Sequence, residues 1–81
     1  MSQMKDIEKK KALRARLARV EGQLRGLQRL IEEDADCEKI AQPMAAARKA
    51  LDKSFFVMLG CMVEQGDTSA EQVADMLTKF A

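Results

Sequence analysis

The feature that most constrains the fold of this chain is a heptad seam in its first third. Apolar residues recur there at alternating steps of four and three: Leu13, Leu17, Val20, Leu24, Leu27 and Ile31. This spacing puts them on one face of a long helix, which we predict to run from about Met4 to Glu33. A seam of this kind is buried only when another helix packs against it.

A second helix is predicted after the acidic break EEDADC, with Asp34 or Asp36 as its N-cap. Pro43 allows two starting points for this helix. Near Gln42 the proline would be a natural first residue, whereas a start near Cys37 would place it beyond the first turn, where it should distort the helix. We favour the start near Cys37. The helix is predicted to end near Glu64, and its apolar stripe consists of Met44, Leu51, Phe55, Met58 and Met62.

A short third helix is predicted after Thr68, because the segment from Thr68 to Glu71 is typical of a capping box. Its apolar face consists of Val73, Met76, Leu77 and Phe80. Good helix formers dominate the chain and strand-like alternation is absent, so we predict an all-α fold in which residues 1–81 form a single domain. A domain this small is marginally stable alone, so we expect it to oligomerise.

The composition excludes several classes of function. No run of about 18 apolar residues is present, and the N-terminus lacks the apolar core of a signal peptide, so we expect a cytoplasmic protein without a membrane span. In that compartment Cys37 and Cys61 are not expected to form a permanent disulfide. The sequence contains no histidine, the commonest general base, and no glycine-rich phosphate loop, so we do not expect an enzyme.

The charges are distributed unevenly. Residues 1–31 contain nine basic and three acidic residues, a net charge of +6, whereas residues 32–81 contain five basic and ten acidic residues, a net charge of −5. Such a basic segment is typical of a surface that binds a polyanion, and a solvated helix face is the alternative.

Cys37 is the first candidate for chemistry. The positive end of a helix dipole stabilises a negative charge on a cysteine at the helix start, although the neighbouring acidic residues oppose this effect. A buried, inert cysteine is the alternative.

Cys61 would lie about 36 Å further along the same helix, too far for a disulfide within it. If two second helices cross antiparallel near Lys49, Cys37 of one chain lies level with Cys61 and Met62 of the other. Met62 shares the helical face of Cys37, and Cys61 points a quarter-turn or more away.

The stretch LRARLARVEGQLRGLQRLIEEDADC (residues 13–37), followed by MAAARKALDK (residues 44–53), resembles the CsoR/RcnR/FrmR family of bacterial transcriptional repressors. The resemblance covers most of the chain and rests on three segments: R-L-x-R-V-x-G-Q-x-x-G-x-x-R, the acidic D-x-x-C, and A-A-x-R-x-A-L. It implies three helices per chain and an antiparallel four-helix core made by the first two helices of two chains. It also implies that two such dimers pair into a homotetramer.

The resemblance further implies binding to operator DNA through basic residues of the first two helices. The matching residues are Arg16, Arg19 and Arg48, with weaker candidates at Lys10, Lys11, Arg14, Lys49 and Lys53. Such residues neutralise phosphates, so binding should weaken steeply with salt. No reading head for base edges is evident, and recognition of DNA shape is the hypothesis for sequence choice.

The sensing positions depart from the pattern that the resemblance implies. Metal-binding members have a histidine where this chain has Met62 and a cysteine or histidine where it has Gly66. Persulfide-sensing members have their second cysteine at the position of Gly66, and formaldehyde-sensing members use an N-terminal amine, normally of a proline, where this chain has Ser2. Without histidine, a nickel, cobalt or zinc site is not expected.

Three hypotheses follow. The first is a repressor without a cofactor that is released from DNA when a persulfide or an electrophile such as formaldehyde modifies Cys37, with or without Cys61 of the other chain. The second is a Cu(I) sensor in which Cys37, Cys61 and Met62 supply soft sulfur ligands. The third is a helical interaction module that has lost its ligand.

Overall fold

The computed structural model describes residues 3–66 and 68–80 and contains three α-helices. They are α1 (Ile7–Glu32), α2 (Cys37–Glu64) and α3 (Ala70–Phe80), and the described residues include no strand. The predicted all-α class is therefore confirmed. None of the helices in the described part of the chain is long and apolar enough to cross a membrane.

Helix α1 begins at Ile7, three residues later than predicted, because Asp6 is its N-cap. The Asp6 carboxylate accepts hydrogen bonds from the backbone N–H groups of Glu8 and Lys9, at 3.0 and 3.2 Å. These bonds satisfy two of the donors that a helix start leaves without intrahelical partners. The residues before Asp6 consequently lie outside the helix.

The chain reverses direction immediately after α1. Asp34 has a positive φ of 59°. The N–H of Asp34 donates to the carbonyl of Ile31, at 3.2 Å, and the N–H of Ala35 donates to the carbonyl of Leu30, at 3.0 Å. This pair of bonds is a Schellman motif, which closes a helix on a residue in the left-handed region.

Helix α2 begins at Cys37, as predicted. Asp36 occupies the cap position, but its side chain makes no capping hydrogen bond, and Asp34 lies in the turn. Asp36 therefore occupies the predicted cap position, but its side chain does not cap the helix.

Helix α2 continues through Pro43, so the expected distortion does not interrupt it. Because proline has no N–H, Pro43 cannot donate the usual helical hydrogen bond to the carbonyl of Lys39, a residue that is exposed.

The predicted capping box of α3 is displaced by one residue. The Ser69 hydroxyl accepts a hydrogen bond from the Gln72 N–H, at 3.2 Å, and the Gln72 side-chain oxygen accepts one from the Ser69 N–H, at 2.8 Å. Ser69 and Gln72 thus play the reciprocal roles that the sequence suggested for Thr68 and Glu71. Thr68 is buried and precedes the capping residue.

Helices α1 and α2 form an antiparallel hairpin, and α3 packs on α2. The start of α1 lies beside the end of α2, where Lys9 forms an ion pair with Glu64. Val20 and Leu27 of α1 are buried opposite the short side chains of Ala47 and Ser54 in α2. Small residues at these positions allow the two helix axes to approach closely.

The seam of α1 is only half covered by its own chain. Val20 and Leu27 are buried, whereas Leu17, Leu24 and Ile31 remain 41%, 47% and 54% exposed. At about 100° per residue, these three lie on the same side of the hairpin as two exposed residues of α2, Met44 and Leu51. We call these five residues the apolar side.

A groove of about 380 Å³ lies along the apolar side. It is lined by Leu13, Leu17, Leu51, Asp52, Ser54, Phe55, Met58 and Phe80. The last of these comes from α3 and is 70% exposed, although the sequence placed it on the apolar face of that helix with Val73, Met76 and Leu77. The other three residues of that face are only half-buried, so α3 is loosely covered.

The left-handed turn predicts a stabilising substitution. Asp34→Gly is expected to raise the free energy of unfolding by about 0.5–1 kcal/mol, because glycine adopts a positive φ without a steric cost. Thermal denaturation should then show a Tm higher by roughly 2–8 °C. Asp34→Val should lower the Tm, and Asp36→Gly, at a cap position with φ −54°, should leave it nearly unchanged. A loss of stability in Asp34→Gly would contradict this account of the turn.

Candidate nucleic-acid interface and sensing site

The basic residues of the first two helices face solvent. Of the residues singled out from the sequence, Arg16 is half-buried and the others are exposed: Lys10, Lys11, Arg14, Arg19, Arg48, Lys49 and Lys53. Within residues 3–66 and 68–80, none of them pairs with a carboxylate, whereas Lys9 pairs with Glu64. Their charges therefore remain available to a polyanion.

The hairpin separates these residues into two groups. Counting about 100° per residue from the buried Val20 and Ser54, Arg16 and Arg19 lie on the side opposite Leu17, together with Lys53 of α2. We call Arg16, Arg19 and Lys53 the basic side. Lys49 lies next to it, about 40° further round α2 than Lys53.

Arg48 lies elsewhere on the hairpin. It is about 140° round α2 from Lys53 and about 40° from Met44, so it borders the apolar side. Lys10 and Arg14 likewise lie toward the apolar side, and Lys11 points outward from α1. Within one chain, the structure thus brings Arg16 and Arg19 together and does not bring Arg48 to them.

Cys37 is the first residue of α2 and is exposed. It follows the turn that begins at Asp34, and its closest sequence neighbours, Asp36 and Glu38, are also exposed. A thiol in this position is accessible to solutes, unlike the buried inert cysteine that the sequence left as an alternative.

Cys61 differs from Cys37 in both burial and direction. It is 7% exposed, and it follows Ala47 and Ser54 at seven-residue intervals on the side of α2 that faces α1. The two sulfur-bearing positions are about 36 Å apart along α2 and about 120° apart around it. Met62 is 9% exposed and lies within about 20° of the direction of Cys37.

The described residues contain no group of three or more His, Cys, Asp or Glu side chains that could hold a metal ion. Gly66 has a φ of 77° and supplies no ligand. Ser2 lies outside the described residues.

Two polar side chains with notable environments were missed by the sequence reasoning. Gln65 bonds to the backbone of residues 3 and 5, more than half the chain away. The side-chain oxygen of Gln23 is buried without a hydrogen-bond partner among the described residues. A glutamine at a helix end carries no sequence signal for long-range bonds, and Gln23 lies just outside the heptad seam.

A helical chain has the features of a ligand-responsive DNA-binding regulator when basic residues on one side have no carboxylate partner in the described part and an exposed cysteine begins a helix. The model of the family of metal-sensitive transcriptional repressors matches residues 9–80, and the chain belongs to this family. The resemblance seen in the sequence is thereby confirmed. Members of this family are transcriptional repressors, so the chain is a regulator and not an enzyme. No curated protein and no solved structure is similar enough to the chain to count as a match.

Proposed function

We propose that this chain is a homo-oligomeric repressor that leaves its operator when a persulfide or an electrophile such as formaldehyde modifies Cys37. The observation that carries the proposal is the exposure of Cys37 at the first residue of α2, in a sequence without histidine. The thiol is accessible, whereas the imidazole ligands that borderline metals prefer are missing. The whole chain, residues 1–81, acts in this proposal as one DNA-binding and sensing domain.

The apolar side supports a dimer with an antiparallel four-helix core. Leu17, Leu24 and Ile31 continue the α1 seam, and Met44 and Leu51 border them from α2. Exposed apolar side chains in a continuous strip mark an association surface. A second copy of the hairpin fills the groove and buries this strip, and two such dimers pair into a tetramer.

This dimer brings the two ends of α2 together. With the two α2 helices crossing near Lys49, Cys37 of one chain lies level with Cys61 and Met62 of the other. Cys61 faces α1 of its own chain and is buried, so Cys37 is the residue that reacts first. A later cross-link to Cys61 requires α1 and α2 to separate at that end, and this change favours a tetramer that cannot bind DNA.

The two modifications add different groups to the thiol. A Cys37 thiolate attacks the outer sulfur of a low-molecular-weight persulfide, forms a protein persulfide and releases the donor as a thiol. Formaldehyde instead adds to the thiol through its carbonyl carbon and leaves a hydroxymethyl group on sulfur. Each product is larger than a thiol and lies at the proposed junction of two chains.

DNA binding in this proposal depends on basic residues of α1 and α2. Arg16 and Arg19 form its centre because they lie together and have no carboxylate partner in the described part of the chain. Lys49 extends it beside Lys53, whereas Lys10, Lys11 and Arg14 lie on other sides of the single hairpin and join it through the assembly. Arg48 joins it only through the assembly, because it lies on another side of the single hairpin.

Cu(I) sensing is the second candidate, and one observation favours it. Cys37 and Met62 share one side of α2, so an antiparallel dimer directs Cys37 of one chain and Met62 of its partner toward the same junction. Thiolate and thioether are ligands that Cu(I) prefers. Cys61 joins this set only if it turns away from α1.

A charge in the middle of the apolar side should prevent dimer formation. Leu24→Glu is expected to be a monomer by sedimentation at micromolar concentration, because a carboxylate would lose its hydration in the four-helix core. Ile7→Glu is the matched control, since Ile7 is 69% exposed and lies outside the strip, and it should leave the assembly intact. A dimeric Leu24→Glu variant would exclude this surface as the interface.

Removing either central arginine should weaken operator binding and its salt dependence. For Arg16→Ala and for Arg19→Ala, the slope of log K against log salt should become shallower by about 0.9, the value expected when one phosphate contact is lost. Lys79→Ala, a charge removed from α3, should change neither quantity. Unchanged slopes in both arginine variants would place the DNA interface elsewhere.

The effector is identified by intact mass spectrometry with a DNA-shift assay on the same samples. Reduced protein is treated separately with a persulfide donor, with formaldehyde and with Cu(I). A covalent mass gain or a cross-linked dimer that appears together with DNA release, and that Cys37→Ser abolishes, supports the thiol mechanism. Cys61→Ser should keep the first modification of Cys37.

The other outcomes of this experiment are equally informative. Retained DNA release in Cys37→Ser under every thiol reagent would exclude the thiol mechanism. Release by copper alone, lost in both Cys37→Ser and Met62→Leu, would establish the second candidate. A protein that binds no operator, or whose binding no reagent alters, would point to an interaction module without a sensing function.

A further inference from the structure

The side-chain amide of Gln65 holds the N-terminal segment against the end of α2. Its oxygen accepts a hydrogen bond from the Lys5 N–H at 2.7 Å, and its nitrogen donates one to the Gln3 carbonyl, also at 2.7 Å. One amide group therefore pairs with a donor and an acceptor on the backbone of the same N-terminal segment. Gln65 itself is half-buried, as expected of a side chain that covers this segment.

The neighbouring residue strengthens the same junction. Glu64 forms an ion pair with Lys9 in the first turn of α1. Two consecutive residues at the end of α2 thus bind both the segment before α1 and the start of α1. The N-cap Asp6 lies between these two attachment points, so the direction in which the chain enters α1 is fixed at three places.

The segment held in this way leads directly into a basic run. Lys9 is followed by Lys10 and Lys11, and both of these are exposed and without a carboxylate partner in the described part of the chain. Gln65 carries no charge, so it adds nothing to the attraction for phosphate. Its effect on these lysines is indirect, because both belong to the first two turns of α1 and Gln65 holds the segment that precedes this helix.

We infer that Gln65 is a positioning residue for DNA binding: it holds the segment before α1 against the end of α2, keeps the first two turns of α1 ordered, and so prepares Lys10 and Lys11 to contact phosphates. The inference rests on the proposed contribution of these lysines to the DNA interface. A frayed start of α1 can still reach the DNA, but its backbone must then be ordered on binding, and that ordering lowers the affinity. The number of phosphate contacts stays the same, because no charge is lost.

The test compares Gln65→Ala with the wild-type chain in operator binding over a range of salt concentrations. Affinity should fall on the order of fivefold, while the slope of log K against log salt stays unchanged. Hydrogen exchange of the Lys5 amide should become faster, since that N–H loses its acceptor. Gln42→Ala is the matched control, because Gln42 is exposed on α2 and makes no side-chain hydrogen bond among the described residues; it should change none of these quantities.

A double variant, Lys10→Ala with Lys11→Ala, separates the inference from the proposed function. If this variant has a weaker affinity and a shallower salt slope but Gln65→Ala binds like wild type, the inference is overturned and the proposed DNA contact stands. If the double variant binds like wild type, these lysines do not contact DNA and both statements fail at this site. A lower Tm for Gln65→Ala at unchanged affinity would show a purely structural role and would also overturn the inference.

Discussion

The close packing of α1 on α2 is the interaction on which the rest of the structure depends. Val20 and Leu27 can approach α2 because Ala47 and Ser54 present almost no side-chain bulk. The Ser54 hydroxyl donates to the carbonyl of Ala50 in its own helix, at 3.0 Å, so it can be buried without a partner from α1. An apolar contact and a satisfied polar group together set the separation of the two helices.

This packing leaves much apolar surface uncovered, and that fact organises the surface of the molecule. Among the described residues, no large side chain is completely buried. A single hairpin with one short helix therefore has a thin core, as expected for a chain of this size. Apolar residues accumulate on one side of the hairpin, whereas Arg16 and Arg19 lie on the other. A second copy bound on the apolar side would consequently leave Arg16 and Arg19 uncovered.

The length of α2 determines where sensing chemistry can occur. Its two ends are about 40 Å apart, with the exposed Cys37 at one end and the buried Cys61 and Met62 near the other. A single chain cannot join them, but an antiparallel pair of such helices can. Gln65 and Glu64 lie at the same end of α2 as Met62. They bond to the segment before α1 and to the first turn of α1. In the proposed dimer, a modified Cys37 therefore lies close to the partner's junction between the end of α2 and the start of α1.

The sequence by itself determined the helical class and the family, because these depend on local periodicity and on a long run of matching positions. It favoured a start of α2 near Cys37 over one near Gln42, and the structure decided for Cys37. The sequence did not determine which aspartate, serine or threonine caps each helix, because neighbouring candidates compete. Only the tertiary structure separated Val20 and Leu27 from Leu17 and Leu24, which the heptad spacing treats alike. It alone turned Cys61 toward α1, separated Arg48 from Arg16 and Arg19, and brought Gln65 to the N-terminal segment. The physical reason is that helical periodicity assigns each residue a direction around its own axis, whereas burial and long-range bonds depend on which neighbouring helix lies in that direction.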